Sequence, residues 1–190
     1  METKRTPLIM ALMVCNLILI AAGLVACVFN VIHPDSGIWL RVGGVCAFFA
    51  LLSAGYYVAK GYTKDSAKFF KLFNALYALS QLVLLIGVGS NPDDTLPIIY
   101  TGAVFGLVVI MVACKDLGFK RSLTICILIV IFGILDIITC AVRLPELAQN
   151  GSQYGLMLLT RNASQLYLSI LFTIMTLAKY ADKKSRGRDI

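Results

Sequence analysis

The clearest charges inside any apolar run of this sequence are Asp136 and Arg161, each in a long hydrophobic stretch. An ionised group at the centre of a bilayer costs roughly 2.5–3.5 kcal/mol even on lenient scales, so its presence needs a reason. A carboxylate and a guanidinium at one depth neutralise each other and lower that cost. Arginine also offers a planar fork of donors that fits carboxylate or phosphate groups. Asp136 lies six residues before Val142, and Arg161 six after Gly155. At ~1.5 Å per helical residue both then sit roughly 9 Å below the same boundary on consecutive antiparallel helices. Arg41 enters near that level from another run, and Asn30 approaches it from a third, with Asn162, Gln165, His33 and Arg143 bordering the region.

Three arginines set against one buried aspartate leave positive potential, which suits a small anionic solute. The candidate ligand-binding set is therefore Arg41, Asp136, Arg161, Asn162, Gln165 and Asn30. The plainer reading is that the two arginines extend to the outer headgroups while Asp136 pairs with one of them for stability alone. Asp136 is the more telling of the three, because its side chain is too short to reach the surface.

Other chemistries are poorly supplied. The single histidine, His33, excludes a His-rich metal or haem site, and no H-E-x-x-H, G-x-S-x-G or phosphate-binding G-x-x-x-x-G-K-[ST] motif occurs. The sequence thus predicts no metal, no cofactor and no enzymatic activity. The six cysteines (Cys15, Cys27, Cys46, Cys114, Cys126, Cys140) form no C-x-x-C pair and read as small apolar side chains. Asn150-Gly-Ser152 matches a glycosylation acceptor on the outer side, and Asn162-Ala-Ser164 matches within a span, where it is unusable.

The elements that must hold these residues are membrane helices. Of 190 residues 59% are hydrophobic and 14% charged, with a mean hydropathy of +0.85; soluble domains average about 45–50% and 25%. The apolar runs 8–32, 38–59, 69–89, 96–114, 122–142 and 155–180 predict one all-α domain, a compact bundle of six transmembrane helices with short loops. The first run is too long for a cleavable signal. Breakers fall between runs: Pro34 and Gly37, Pro92, and Pro145 with Gly151. Thr63 is a candidate N-cap for the third helix. Gly102 and Gly106 form a G-x-x-x-G pair suited to close helix packing.

Net charge of +7 does not indicate nucleic acid, because the basic residues lie in short loops between apolar runs. Fourteen of the 17 fall at one end of a six-helix topology: Lys4, Arg5, Lys60, Lys64, Lys68, Lys71, Lys115, Lys120, Arg121, Lys179, Lys183, Lys184, Arg186 and Arg188. Asp35, Asp93, Asp94 and Glu146 fall at the other. The positive-inside rule then puts both termini, including the polar tail 181–190, in the cytoplasm of a plasma membrane. Lys64, Lys68 and Lys71 recur at helical spacing and could meet anionic lipid. A loose likeness between the first and third hairpins, Arg5 with Arg121 and Arg41 with Arg161, is too weak to define a repeat.

Two functions fit. One is small-solute binding or transport, as a permease or as the membrane-embedded substrate-binding subunit of a larger transporter. The other is a scaffold or assembly partner that meets further membrane subunits, or its own copies, through helix faces and its basic rim. In both the lipid bilayer is the first partner.

Overall fold

The computed structural model describes residues 7–32, 37–63, 66–89, 95–114, 117–149, 163 and 166–180, and every regular element among them is helical. Five long helices are α1 (Pro7–Ile32), α2 (Ile38–Ala59), α3 (Ala67–Gly89), α4 (Thr95–Ala113) and α5 (Phe119–Gln149). A shorter apolar helix, α6, covers Leu166–Tyr180. Even the 19-residue α4 spans about 29 Å at ~1.5 Å per residue, close to the ~30 Å of a hydrocarbon layer. All five long helices are long and apolar enough to cross a membrane. The rest of the run expected for the sixth span lies outside the described residues.

Consecutive helices pack side by side, α1 on α2, α2 on α3, α3 on α4 and α4 on α5. The sixth occupies the middle. Within Leu166–Tyr180 only Lys179 is exposed. Its Tyr167 lies on α1 at Gly23, its Leu166 on α5 at Gly133, and its Phe172 on α3 at Phe73 and Tyr77.

On α1 and α5 the inward stripe carries small and polar side chains among its apolar ones, and the outward face is large and apolar. On α1 the buried positions include Asn16, Ile20, Gly23, Cys27 and Asn30, whereas Leu8, Met10, Ile18, Val25 and Ile32 are exposed. The buried stripe of α5 is Ser122, Cys126, Ile129, Gly133, Asp136 and Cys140, while Ile127, Ile131, Ile138 and Val142 face out. In water so broad an apolar surface would aggregate. Against lipid it costs nothing, and the polar residues are the ones that must be hidden. Length, composition and this inverted surface together are those of a multi-pass helical membrane protein.

Three local expectations are corrected. Helix α5 runs through Pro145 to Gln149 instead of breaking there. A proline removes one backbone donor and frees the carbonyl four residues back, here that of Ala141. The apolar part of α5 stops at Arg143, so water and headgroups can satisfy what the proline leaves. Thr63 does not cap α3 directly. Its hydroxyl lies 3.0 Å from that of Ser66, and Ser66 precedes the helix and hydrogen-bonds back to the Thr63 carbonyl at 2.9 Å. Finally, a Cβ on Gly106 would meet nothing within 4 Å, and one on Gly102 only Leu85 at 3.7 Å. The close approaches occur instead at Gly23, Gly43, Gly44, Gly87 and Gly133.

Between α2 and α3 the chain folds back into the bundle. Gly61 and Tyr62 both adopt left-handed backbone, φ 67° and 59°. That conformation is strained for tyrosine and is tolerated only where surroundings fix it. Here the ring packs edge-on to Tyr57, centroids 5.2 Å apart, and the hydroxyl accepts a 2.8 Å hydrogen bond from Asn16 Nδ2.

Candidate functional site

The end of the bundle opposite the lysines contains a cavity of about 30 Å³, room for a water molecule or two. Its wall brings together α1, α2, α3 and α6 through Asn30, Leu40, Gly44, Ser80 and Tyr167. Glycines permit this convergence. A Cβ on Gly44 would lie 3.1 Å from Val31 Cγ2 and 3.6 Å from the Cys27 carbonyl, so its absence brings α2 against α1 beside Asn30. A Cβ on Gly23 would collide with the Tyr167 ring and sit 2.9 Å from Leu51 Cδ1. That seats α6 against α1 and directs Tyr167 across the wall.

The polar groups here are hidden from solvent. Asn30 is 4% exposed and Ser80 1%. The Ser80 hydroxyl donates to the Gly43 carbonyl at 3.2 Å, a bond that leaves its oxygen lone pairs available to a donor. The Tyr167 hydroxyl is sealed beside the Gly23 backbone.

Below the cavity, towards the lysine-rich end, a layer of rings closes the bundle. Tyr77 and Ser169 hydroxyls are 2.9 Å apart. Phe172 packs on Tyr77 and Phe73 with centroids at 5.5 and 6.3 Å, and Tyr77 and Phe73 stack at 6.0 Å. All three rings are fully buried.

Of the residues singled out in the sequence, the structure brings Asn30 to the cavity wall. Asp136 is buried at 2% exposure, one turn along from Gly133, where α5 meets Leu166 of α6. It thus faces the bundle interior and not lipid. Arg41 is exposed, one residue along α2 from the cavity-lining Leu40. Arg41 and Asp136 are on helices that share no packed interface among the described pairs. Arg161, Asn162 and Gln165 lie outside the described residues, as does His33.

Sequence reasoning did not select Ser80 or Tyr167. Serine and tyrosine are ordinary in membrane helices, and neither carries the charge that marks a buried position. The usable signal was the helical spacing of Asn74, Ser80 and Gln81 on α3, all now buried.

The fold defines the class of the protein, a multi-pass helical bundle, with a small and mostly apolar internal cavity to which Asn30, Ser80 and Tyr167 contribute the polar groups. Comparison with known proteins narrows this no further: no family model matches the chain, and no curated protein or solved structure matches it.

Proposed function

We propose that the protein binds, and as a permease or substrate-binding subunit helps to move, a polar solute of few heavy atoms, without catalysing a covalent change. The observation that carries this reading is the convergence of Asn30, Ser80 and Tyr167 on one cavity between four helices, above a closed layer of rings. Polar side chains hidden in a bilayer are costly, and packing alone would be served equally well by alanine or leucine. With the lysine-rich end in the cytoplasm, by the positive-inside rule, the cavity faces outward. Exposed Arg41, next to Leu40 of the wall, then favours a small anion at its mouth.

Thermal unfolding of the purified protein tests this, with formate, acetate, lactate, urea and glycerol as probes. A binder is stabilised by its ligand in proportion to saturation. One of the small carboxylates should raise the melting temperature of the native protein and lose that effect in Asn30→Leu. No shift with any probe would instead favour the scaffold reading.

A further inference from the structure

The connection between α2 and α3 is basic, and both of its ends are fixed. Segment 60–71 carries four lysines, Lys60, Lys64, Lys68 and Lys71, against one acidic residue, Asp65, and neither α2 nor α3 contains an acidic side chain. Helix α2 ends at Lys60 in a Schellman motif. The Gly61 amide donates to the Val58 carbonyl at 2.8 Å, and the Tyr62 amide to the Tyr57 carbonyl at 3.2 Å. The apolar contact that accompanies such a motif is the edge-on packing of Tyr62 on Tyr57. Carbonyls that would repel an anion at a helix end are thereby closed, and Lys60 stands one turn along from Tyr56. At the other end Lys68 lies in the first turn of α3, where the partial positive charge of a helix start adds to its own.

Both lysines rest on one aromatic pair. The Tyr56 and Phe69 rings have centroids 4.1 Å apart. The Lys60 ammonium lies 5.6 Å from the Tyr56 centroid and that of Lys68 5.4 Å from the Phe69 centroid, within the range of a cation–π contact. Such rings hold the two ammoniums beside one patch without neutralising them. Lys60, Lys68 and Tyr56 are exposed. Towards the bilayer centre the seam between α2 and α3 continues with Phe49 and Leu52 on one wall and Leu72 and Leu79 on the other, all exposed. Their spacing keeps them on the helix faces that carry Tyr56 and Phe69. We infer that this seam binds an anionic phospholipid, with its phosphate between Lys60 and Lys68 and its acyl chains along Leu52 and Leu72. Basic side chains at the cytoplasmic surface attract anionic headgroups, and here an aromatic pair directs two of them at one. An acidic protein segment would use the lysines but not the apolar side chains deeper in the seam, which favours a lipid. The site lies at the opposite end of the bundle from the Asn30 cavity and stands or falls without it.

Melting temperatures of the full chain in neutral detergent test this, with phosphatidylglycerol and phosphatidylcholine of the same acyl chains and glycerol 3-phosphate as probes. Phosphatidylglycerol should stabilise the native protein at lower concentration than phosphatidylcholine. Equal effects of the two lipids would overturn the proposal and leave the lysines to an acidic protein partner. Equal stabilisation by glycerol 3-phosphate, a headgroup without chains, would remove the seam from the site and overturn a lipid as its occupant. Lys60→Gln and Lys68→Gln should each weaken half-saturation by phosphatidylglycerol about fivefold. Lys68→Arg, which keeps both the charge and the ring contact, should stay within about twofold of the native protein. Lys120→Gln removes the same charge from α5 and separates a site from diffuse attraction. It should shift half-saturation less than about twofold, and a loss equal to those of Lys60→Gln and Lys68→Gln would overturn the proposal. All three lysines are exposed, so none of these changes puts folding at risk.

Discussion

Tyr62 holds a backbone conformation that tyrosine disfavours, and the 2.8 Å bond from Asn16 is the specific contact that repays it. In Tyr62→Phe the Asn16 amide remains buried with one partner fewer, a change worth roughly 1–3 kcal/mol. Thermal or denaturant unfolding in detergent should show the loss, and full native stability would mean the bond is incidental. The hydroxyl also titrates. Burial pushes its pKa above the ordinary tyrosine value, and the Asn16 hydrogen bond offsets only part of that rise. A group whose folded-state pKa is raised contributes stability that is fully present below the unfolded pKa, near ~10, and lost as pH climbs through the folded value. The native protein should therefore weaken more steeply above pH ~10 than Tyr62→Phe does.

Asp136 poses the complementary question at the same scale. It lies on the inward stripe of α5, facing α6, where its charge must be answered from within the bundle. If Arg161 supplies the answer, Asp136→Asn and Arg161→Gln will each destabilise, and the double variant will cost clearly less than their sum. Strict additivity in that cycle would separate the two residues.

At the scale of the element, the helices were readable from the sequence because a membrane fixes their length. The long apolar runs could be little else, and the bounds of α1 and α2 agree to within a residue. The far end of α5 was not readable, since a proline stops a helix only where the freed carbonyl finds no other partner. Nor did the sequence show which helix occupies the centre. In hydrocarbon every helix is apolar on all sides, so the amphipathic contrast that orients a soluble helix is missing. What marks the inward face instead is small and polar residues, and many of these are ambiguous one at a time. The glycine pair on α4 illustrates this: its spacing suggests packing, yet Gly106 has open space where Gly23 meets a ring. Gly23→Ala should therefore destabilise by about 1–3 kcal/mol through overpacking, and Tyr167→Leu in the same chain should relieve part of it. Gly106→Ala should be neutral or stabilising by up to ~1 kcal/mol, as alanine favours helix. Melting temperatures of the three variants give the comparison, and equal effects of the two glycine changes would argue against the packing described.

At the scale of the whole molecule, the candidate site was only partly legible. Charge directed attention to Asp136, Arg161 and Arg41, whereas the cavity wall is mostly apolar, and its few polar groups, Asn30, Ser80 and Tyr167, are neutral and brought together by glycines far apart in the chain. Such a site depends on which helices touch, and single-residue chemistry does not report that. The ends of the bundle are more plainly labelled. Lys60, Lys68, Lys71, Lys120, Arg121 and Lys179 are exposed together at one end, and a membrane-impermeant maleimide applied to intact cells reports which side that end faces. In a cysteine-free background, Thr95→Cys should react from outside, whereas Lys60→Cys and Lys120→Cys should react only after permeabilisation. The reverse pattern would invert the orientation and turn the Asn30 cavity to the cytoplasm.

The central place of α6 has a consequence for biosynthesis. The ribosome makes this helix after the other five, so while they enter the bilayer the space it will fill is empty. Until then Tyr77 lacks its Ser169 partner, and the stripe carrying Asp136 has no α6 beside it. A chain halted before Leu166 would leave costly polar groups facing lipid or a water-filled gap. Such a product should be cleared by membrane proteases and not accumulate as a stable five-helix fragment. Coexpression of a separate segment containing α6 is the condition under which that fragment should persist.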